Sequence, residues 1–203
     1  MSTQKNLLRQ ILLAAVDSGE LLAIYNQIDN LDTFWVGKVI KFDELADTVL
    51  FAAYNDIGLR SGWRVLPFEQ IWQINRYDDY VKALQTSITL IDKGALNGLI
   101  QMPHPHLPPL LALKSLTLPA ILQLCQQQQW FTGMTLNFSS DPEIYGYLKA
   151  VSHDSFVLAA YSLLGELEGE QTLFIKDIQS LVWQNYQSLV RERLVAARKQ
   201  SVV

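Results

Sequence analysis

Short apolar runs separated by turn residues dominate the chain, and they come in two sets. Near the start, Leu8, Ile11, Leu12 and Ala15 recur at helical spacing. Ser2 or Thr3 can cap that helix, and Gly19 sits just past its end. Runs rich in Val, Ile, Phe, Trp and Tyr then predict strands over residues 21–28, 34–42, 48–54, 63–66 and 68–74. The second set opens at Thr117, a cap residue, with Pro119 in the first turn, where its missing N–H does no harm. Its helix runs through Ile121, Leu122 and Cys125, and strands are predicted over 131–138, 144–151, 156–161, 171–174 and 177–183. A further helix is predicted after each set, over 77–85 and 186–199. On the latter, Tyr186, Leu189, Val190, Arg193, Leu194 and Ala197 mark one face, whose apolar members call for a partner surface.

The two sets are copies. Laid over one another without gaps, the segments 48–74 and 155–181 share seven identities. These are Ala52/Ala159, Ala53/Ala160, Tyr54/Tyr161, Gly58/Gly165, Gly62/Gly169, Leu66/Leu173 and Ile71/Ile178, where average composition gives roughly two. Upstream the offset grows by two residues, and Gly37 then meets Gly146, Val39 meets Leu148 and Asp32 meets Asp141. The difference falls between Phe42 and Thr48, where a loop absorbs it.

One helix and five short strands per copy predict a mainly β fold with helices: two tandem small five-stranded barrels, each preceded by a helix. Closure would hide the strand edges, with the helix plugging one end. Gly37 and Gly146 fall inside strands, which marks a sharp bend or a bulge. The domain reading is 1–88 for the first barrel with its flanking helices, 89–116 for a proline-containing linker, and 117–203 for the second barrel with the C-terminal helix. Ile100, Met102, Leu107, Leu110 and Leu111 make the linker an ordered strap rather than a free tether.

Composition adds bounds. Hydrophobic residues are 49% and charged residues 18%, ordinary for a packed protein, and the net charge of −4 argues against a strongly basic nucleic-acid binder. No apolar run reaches the ~20 residues of a membrane span, and the first residues lack the pattern of a signal peptide. One cysteine, Cys125, allows no internal disulfide. Together these features predict a cytoplasmic protein with no membrane partner.

The stretch "GKVIKFDELADTVL" in copy one supplies Gly37, Val39, Phe42, Asp43, Asp47 and Leu50. This spacing resembles the first motif of the Sm-like (LSm) family, in which an N-terminal helix precedes a five-stranded barrel. Copy two keeps Gly146, Leu148 and Val157. The family's Asn position is Asp47 here, and its second motif, Ile-Arg-Gly, is replaced by "WRVLPFEQI" and "QTLFIKDIQ". The resemblance implies the barrel fold and assembly by pairing the fourth strand of one barrel with the fifth of its neighbour. It also implies an RNA-base pocket, but the residues that build that pocket have changed. A carboxylate offers only acceptors to a base edge, and Asp43, Glu44 and Asp47 repel phosphate.

The remaining candidates read as structural. "DELAD" lacks the alternating ligands of a calcium loop, and His104, His106 and His153 lack close companion ligands, so no metal site is expected. Arg60, Arg64 and Arg76 lie beside Trp63, Trp72 and Tyr77, but Glu69, Asp78 and Asp79 neutralise that patch. Basic residues at the C-terminus (Arg191, Arg193, Arg198, Lys199) suit the end of a helix dipole. No nucleophile elbow, phosphate loop or HExxH helix is present, and Cys125 lies among apolar helix positions. The expectation is therefore a non-enzymatic interaction or assembly module that self-associates or binds a protein, with no cofactor. The alternative is RNA binding on a non-standard surface formed by Phe42, Asp43, Asp47, Arg60 and Arg64.

Overall fold

The computed structural model describes residues 3–26, 34–94, 109–137 and 143–201. The chain divides into two compact units, Met1–His106 and Leu107–Val203. Both mix helices with antiparallel strands, so the chain is mainly β with α.

In the first unit, α1 (Thr3–Ser18) precedes β1 (Leu21–Tyr25), β2 (Trp35–Asp43), β3 (Thr48–Tyr54), β4 (Arg60–Pro67) and β5 (Gln73–Asn75), and α2 (Asp79–Asp92) follows. The strand order is β5-β1-β2-β3-β4. Leu22 and Ile24 of β1 face the core built on Leu8, Leu12 and Ala15 of α1, with Phe51 and Leu66 from the sheet. Leu21 and Ala23 face the opposite way, onto Val81, Leu84 and Ile88 of α2. Both faces of β1 are therefore covered, which is why its sequence, LLAIY, is continuously apolar instead of alternating.

The second unit repeats the plan with α3 (Leu118–Gln127), β6 (Phe131–Leu136), β7 (Ile144–Val151), β8 (Ser155–Tyr161), β9 (Leu167–Phe174), β10 (Ile178–Trp183) and α4 (Tyr186–Ser201). Its order is β10-β6-β7-β8-β9. Thr117 caps α3 by accepting from the Ala120 N–H, as its sequence position predicts.

The duplication holds at the level of single bonds. Gly37 pairs with Ala53 and Gly146 with Ala160, and each ladder slips just beyond, at Val39/Lys41 and at Leu148/Ala150. The Phe68 N–H donates to the Asp47 carbonyl (2.7 Å) and the Ile175 N–H to that of Asp154 (2.9 Å). At the β3–β4 turn the Asn55 side chain accepts from the N–H groups of Ile57 and Leu59, and at the β8–β9 turn Ser162 accepts from Leu164 and Glu166. The glycines of these turns have positive φ, +89° at Gly58 and +73° at Gly165. Each lies against the helix that follows its sheet: a Cβ on Gly58 would be 3.1 Å from the Ile88 nitrogen, and one on Gly165 2.8 Å from that of Val195.

Three expectations change. The predicted strand 68–74 is a 3-10 turn (Phe68–Gln70) followed by the short β5. The Lys5 ammonium donates to the carbonyls of Phe68, Glu69 and Ile71, turning that backbone toward α1 and away from a ladder. Copy two keeps the matching turn at Ile175–Asp177. Strands β4 and β9 begin earlier than predicted, and α2 both starts later and runs further, to Asp92. Tyr77 has φ +58° and cannot start a helix, so Asp78 caps it. Finally, among the described residues no ladder joins β4 to β5 or β9 to β10, so hydrogen bonding does not close either sheet. Of the strap, Pro109–Ala112 forms a 3-10 turn with Leu110 buried; Ile100, Met102, Leu107, His104 and His106 lie outside the described residues, as do Ser2, Asp32 and Asp141.

Candidate functional site

The β2–β3 turn holds three of the five residues singled out from sequence. Asp43 uses its carboxylate to accept from the N–H groups of Leu45 and Ala46, folding the turn onto itself. Asp47, at φ +49°, forms a salt bridge with Arg9 of α1. Phe42 is 9% exposed and packs on Phe68, with ring centroids 5.4 Å apart. The Arg9 guanidinium lies over both rings, 5.6 Å from the Phe42 centroid and 4.6 Å from that of Phe68. Below it, burial lowers the pKa of Lys5, which caps the 3-10 turn. The acidic loop is thus neutralised from α1 and its aromatic residue is turned inward.

Arg60 and Arg64 lie elsewhere. Arg60 pairs with Tyr54 at the far end of β3, seven residues from the turn, or roughly 20 Å at strand spacing. Its guanidinium sits 4.6 Å from the Trp63 centroid and 5.6 Å from that of Tyr54. Arg64 is 3% exposed and stacks 3.4 Å from the Trp35 ring centroid, and Trp35 in turn donates to Asn26. The structure therefore brings Phe42, Asp43 and Asp47 together and does not bring Arg60 or Arg64 to them. Sequence reasoning missed Arg9 and Lys5. Their only signal was a pair of cations one helical turn apart on a helix with an apolar face.

In the second unit a polar network anchors α4. The Asn185 amide donates to the Tyr145 hydroxyl at 2.9 Å, Tyr145 donates to Glu143, and Arg191 stacks 4.1 Å from the Tyr145 ring centroid. Asn185 also caps the helix by accepting from the Ser188 N–H. Beside it Tyr147 donates to Glu192, and burial raises the pKa of both, the phenol to about 12. Cys125 is fully buried, and burial pushes its thiol up to about 12. A thiol so placed is not a nucleophile at neutral pH.

Among the described residues, β9 and α4 present open surfaces. Strand β9 has β8 as its only strand neighbour among the described residues, and Glu168, Glu170, Thr172 and Phe174 are exposed along it. In its counterpart β4, Trp63, Val65 and Leu66 are buried. The other is α4, which buries Ser188, Arg191 and Val195 and turns the apolar face read from its sequence outward. A shallow groove of about 330 Å³ between the start of β1 and α2 is lined by Glu20, Tyr77, Val81 and Gln85, but Glu20 is engaged by Arg76 there. Among the described residues no three His, Cys, Asp or Glu side chains gather as a cation site, and no helix is long and apolar enough to cross a membrane.

No family model matches the chain, and no curated protein matches it. The functional reading therefore rests on geometry alone.

Proposed function

We propose that the chain is a pair of tandem Sm-like/SH3-like small barrels. It acts as a non-enzymatic interaction or assembly module that recruits a further strand, from another copy or from a partner protein, at the outer edge of β9. The observation that carries this reading is the contrast between β9 and β4. Both are the fourth strand of the same plan, yet among the described residues β9 has a strand on one side only and most of its side chains are exposed, while the centre of β4 is buried. An edge of that length offers a row of main-chain donors and acceptors, and strand addition uses them with little demand on side chains. Glu168 and Glu170 disfavour pairing of two β9 edges with each other, because like charges would face one another. They direct the edge to a different strand. The reading invokes no cofactor.

RNA binding draws less from the geometry, since Phe42 and Arg64 are buried and Asp47 is engaged by Arg9. One experiment addresses both readings. The native mass is measured across a concentration series, with and without a labelled oligonucleotide at low salt. Assembly gives masses that rise above a single chain without RNA. A single-chain mass at every concentration, with no strand-like partner captured, removes the assembly reading; RNA-dependent mass would favour the alternative. Two proline variants refine the result. Adjacent residues Gln171 and Thr172 point their N–H groups to opposite sides of β9. Of Gln171→Pro and Thr172→Pro, the one whose lost N–H faces outward keeps the fold and loses assembly. The other breaks the β8–β9 ladder.

A further inference from the structure

We propose that the open edge of β9 takes a short extended segment of a partner protein, with a basic side chain beside Glu170 and an aromatic or β-branched one beside Phe174. This rests on β9 being the strand-accepting edge, and it gives that edge a register, a length and a partner chemistry. Register comes from the main chain. The Ile175 N–H donates to the Asp154 carbonyl at 2.9 Å, on the β8 side of the strand. Hydrogen-bonded and non-hydrogen-bonded pairs alternate along the ladder, so Leu173 and Gln171 also turn to β8. Phe174, Thr172 and Glu170 therefore direct their N–H and C=O groups to the open side. Length comes from what interrupts the row. The ladder slips between Ala160 and Tyr161 beside Gly169, whose φ is +132°, and the 3-10 turn Ile175–Asp177 follows at the other end. The regular edge is residues 170–174.

The first copy is built differently at these positions. Where β9 has Glu170, Thr172 and Phe174, β4 carries Trp63, Val65 and Pro67. Trp63 and Val65 are buried, and Pro67 has no N–H to give. In β9 all three positions keep their donor, and their side chains are exposed, Phe174 at 52%.

Side chains alternate along a strand, so Glu170, Thr172 and Phe174 share one face. A strand laid along the edge sets its own side chains beside them, and opposed pairs interact most strongly. Beside Glu170 a lysine or arginine is favoured and a carboxylate disfavoured, and Glu168 at the bulge adds a second negative charge. The cations of this unit near the edge are placed elsewhere: Arg198 pairs with Glu166, Lys199 lies 5.5 Å from the Tyr147 ring centroid and Lys176 lies 5.6 Å from that of Phe174. An edge that only repelled strands would not carry an exposed phenylalanine in the same row. The main-chain groups thus require a strand, and the side-chain row selects which one. A second copy fits poorly through β5, which also has one strand neighbour among the described residues. It is three residues long, Gln73, Ile74 and Asn75, and has no cation.

The test titrates the full chain into a labelled peptide of about seven residues that alternates threonine and valine, followed by fluorescence anisotropy. Lysine and phenylalanine stand on its threonine face, spaced as Glu170 and Phe174 are. Versions with either residue first cover both strand directions. A version with glutamate for lysine and one N-methylated along its main chain are run alongside. One order of the lysine peptide is expected to bind. The glutamate peptide should bind roughly two- to fivefold more weakly, the size of one opposed pair, and Glu170→Lys should reverse that preference with circular dichroism unchanged. Phe174→Ser should weaken both. Thr172→Pro removes an outward N–H and should abolish binding while the β8–β9 ladder holds. Equal binding of lysine and glutamate peptides, lost in Thr172→Pro, overturns the partner chemistry and leaves edge pairing standing. Binding that survives both Thr172→Pro and N-methylation overturns edge pairing as well. A concentration-dependent dimer that excludes the peptide and is lost in Thr172→Pro overturns the partner assignment in favour of a second copy. Binding by no peptide overturns the proposal, and edge pairing then stands or falls on the native mass.

Discussion

A Cβ placed on Gly37 would lie 2.1 Å from the carbonyl oxygen of Ala52, and one on Gly146 would lie 2.0 Å from that of Ala159. The two contacts are the same contact in the two copies. Backbone atoms cannot step aside as the end of a side chain can, so alanine at either glycine forces β2 from β3, or β7 from β8. Gly37→Ala and Gly146→Ala are each expected to cost ~3 kcal/mol, at the upper end of overpacking changes. Gly19→Ala is the comparison: its φ is +64° but nothing lies within 4 Å, so only the left-handed backbone cost of ~1 kcal/mol applies. Urea unfolding separates the two cases, and equal losses would contradict the steric argument.

Arg9 couples α1 to the β2–β3 turn through Asp47 and through the rings of Phe42 and Phe68. Arg9→Met keeps much of the packing and removes the charge. It should cost ~1 kcal/mol, as should Asp47→Asn, which retains a side chain tolerant of positive φ. In a double-mutant cycle the pair should show a coupling energy of at least ~0.5 kcal/mol that falls with salt. Additive losses would mean the bridge contributes nothing.

Asp78 and Asn185 cap equivalent helices, but only Asn185 also satisfies a buried tyrosine. Asp78→Ala should cost ~1 kcal/mol, the usual value of a cap. Asn185→Ala should cost ~2–3 kcal/mol, because it also removes the donor to the Tyr145 hydroxyl. Thermal denaturation of both variants tests the ranking, and Asn185→Asp, which keeps the cap acceptor and loses the donor, should fall between them.

Burial raises the pKa of Glu192 above its ordinary value of 4.5, with the Tyr147 hydrogen bond acting in the opposite direction. Between the unfolded and folded values the folded chain holds the extra proton, so stability falls as pH rises through that window. The penalty is complete above the folded value and absent below the unfolded one. Glu192→Gln should therefore be more stable than wild type at neutral pH, and the difference should shrink toward zero as pH drops below about 4.5. The melting-temperature difference between the two proteins, followed against pH, isolates Glu192 from the other carboxylates.

Cys125 is buried and its thiol is raised to about 12, so native protein should not react with a thiol reagent such as dithionitrobenzoate at neutral pH. Full reaction is expected in denaturant. Any slow native reaction should follow opening of α3 and accelerate with urea in parallel with unfolding. Rapid labelling of the folded chain would contradict the burial.

Much of the architecture was legible in the residues because it depends on short-range rules. The repeat identities proved to be contact points: Ala52 and Ala53 face Gly37, Gly58 packs on α2, and Ile71 and Ile178 are buried. The family-like spacing marked the turn around Asp43 and Asp47; the ladder sets Arg60 opposite Tyr54 at the far end of β3 and Arg64 opposite Phe51 in its middle, a separation that distance along the chain does not reveal. Lys5 and Arg9 could not be found from pattern, since their partners lie in distant segments.

The sequence by itself determined the copying of the plan, the order of helix and strands, and the caps at Thr117 and the turns at Gly58 and Gly165, all set by local sterics, local hydrogen bonding and hydrophobic period. Only the tertiary structure decided which face of α4 meets its sheet. Helical periodicity ranks faces by apolarity, but burial is settled by what waits on the other side. Here that is Tyr145, whose ring takes Arg191 and whose hydroxyl takes Asn185. The face that carries Ser188, Arg191 and Val195 went in, and Tyr186, Val190 and Leu194 stayed at the surface.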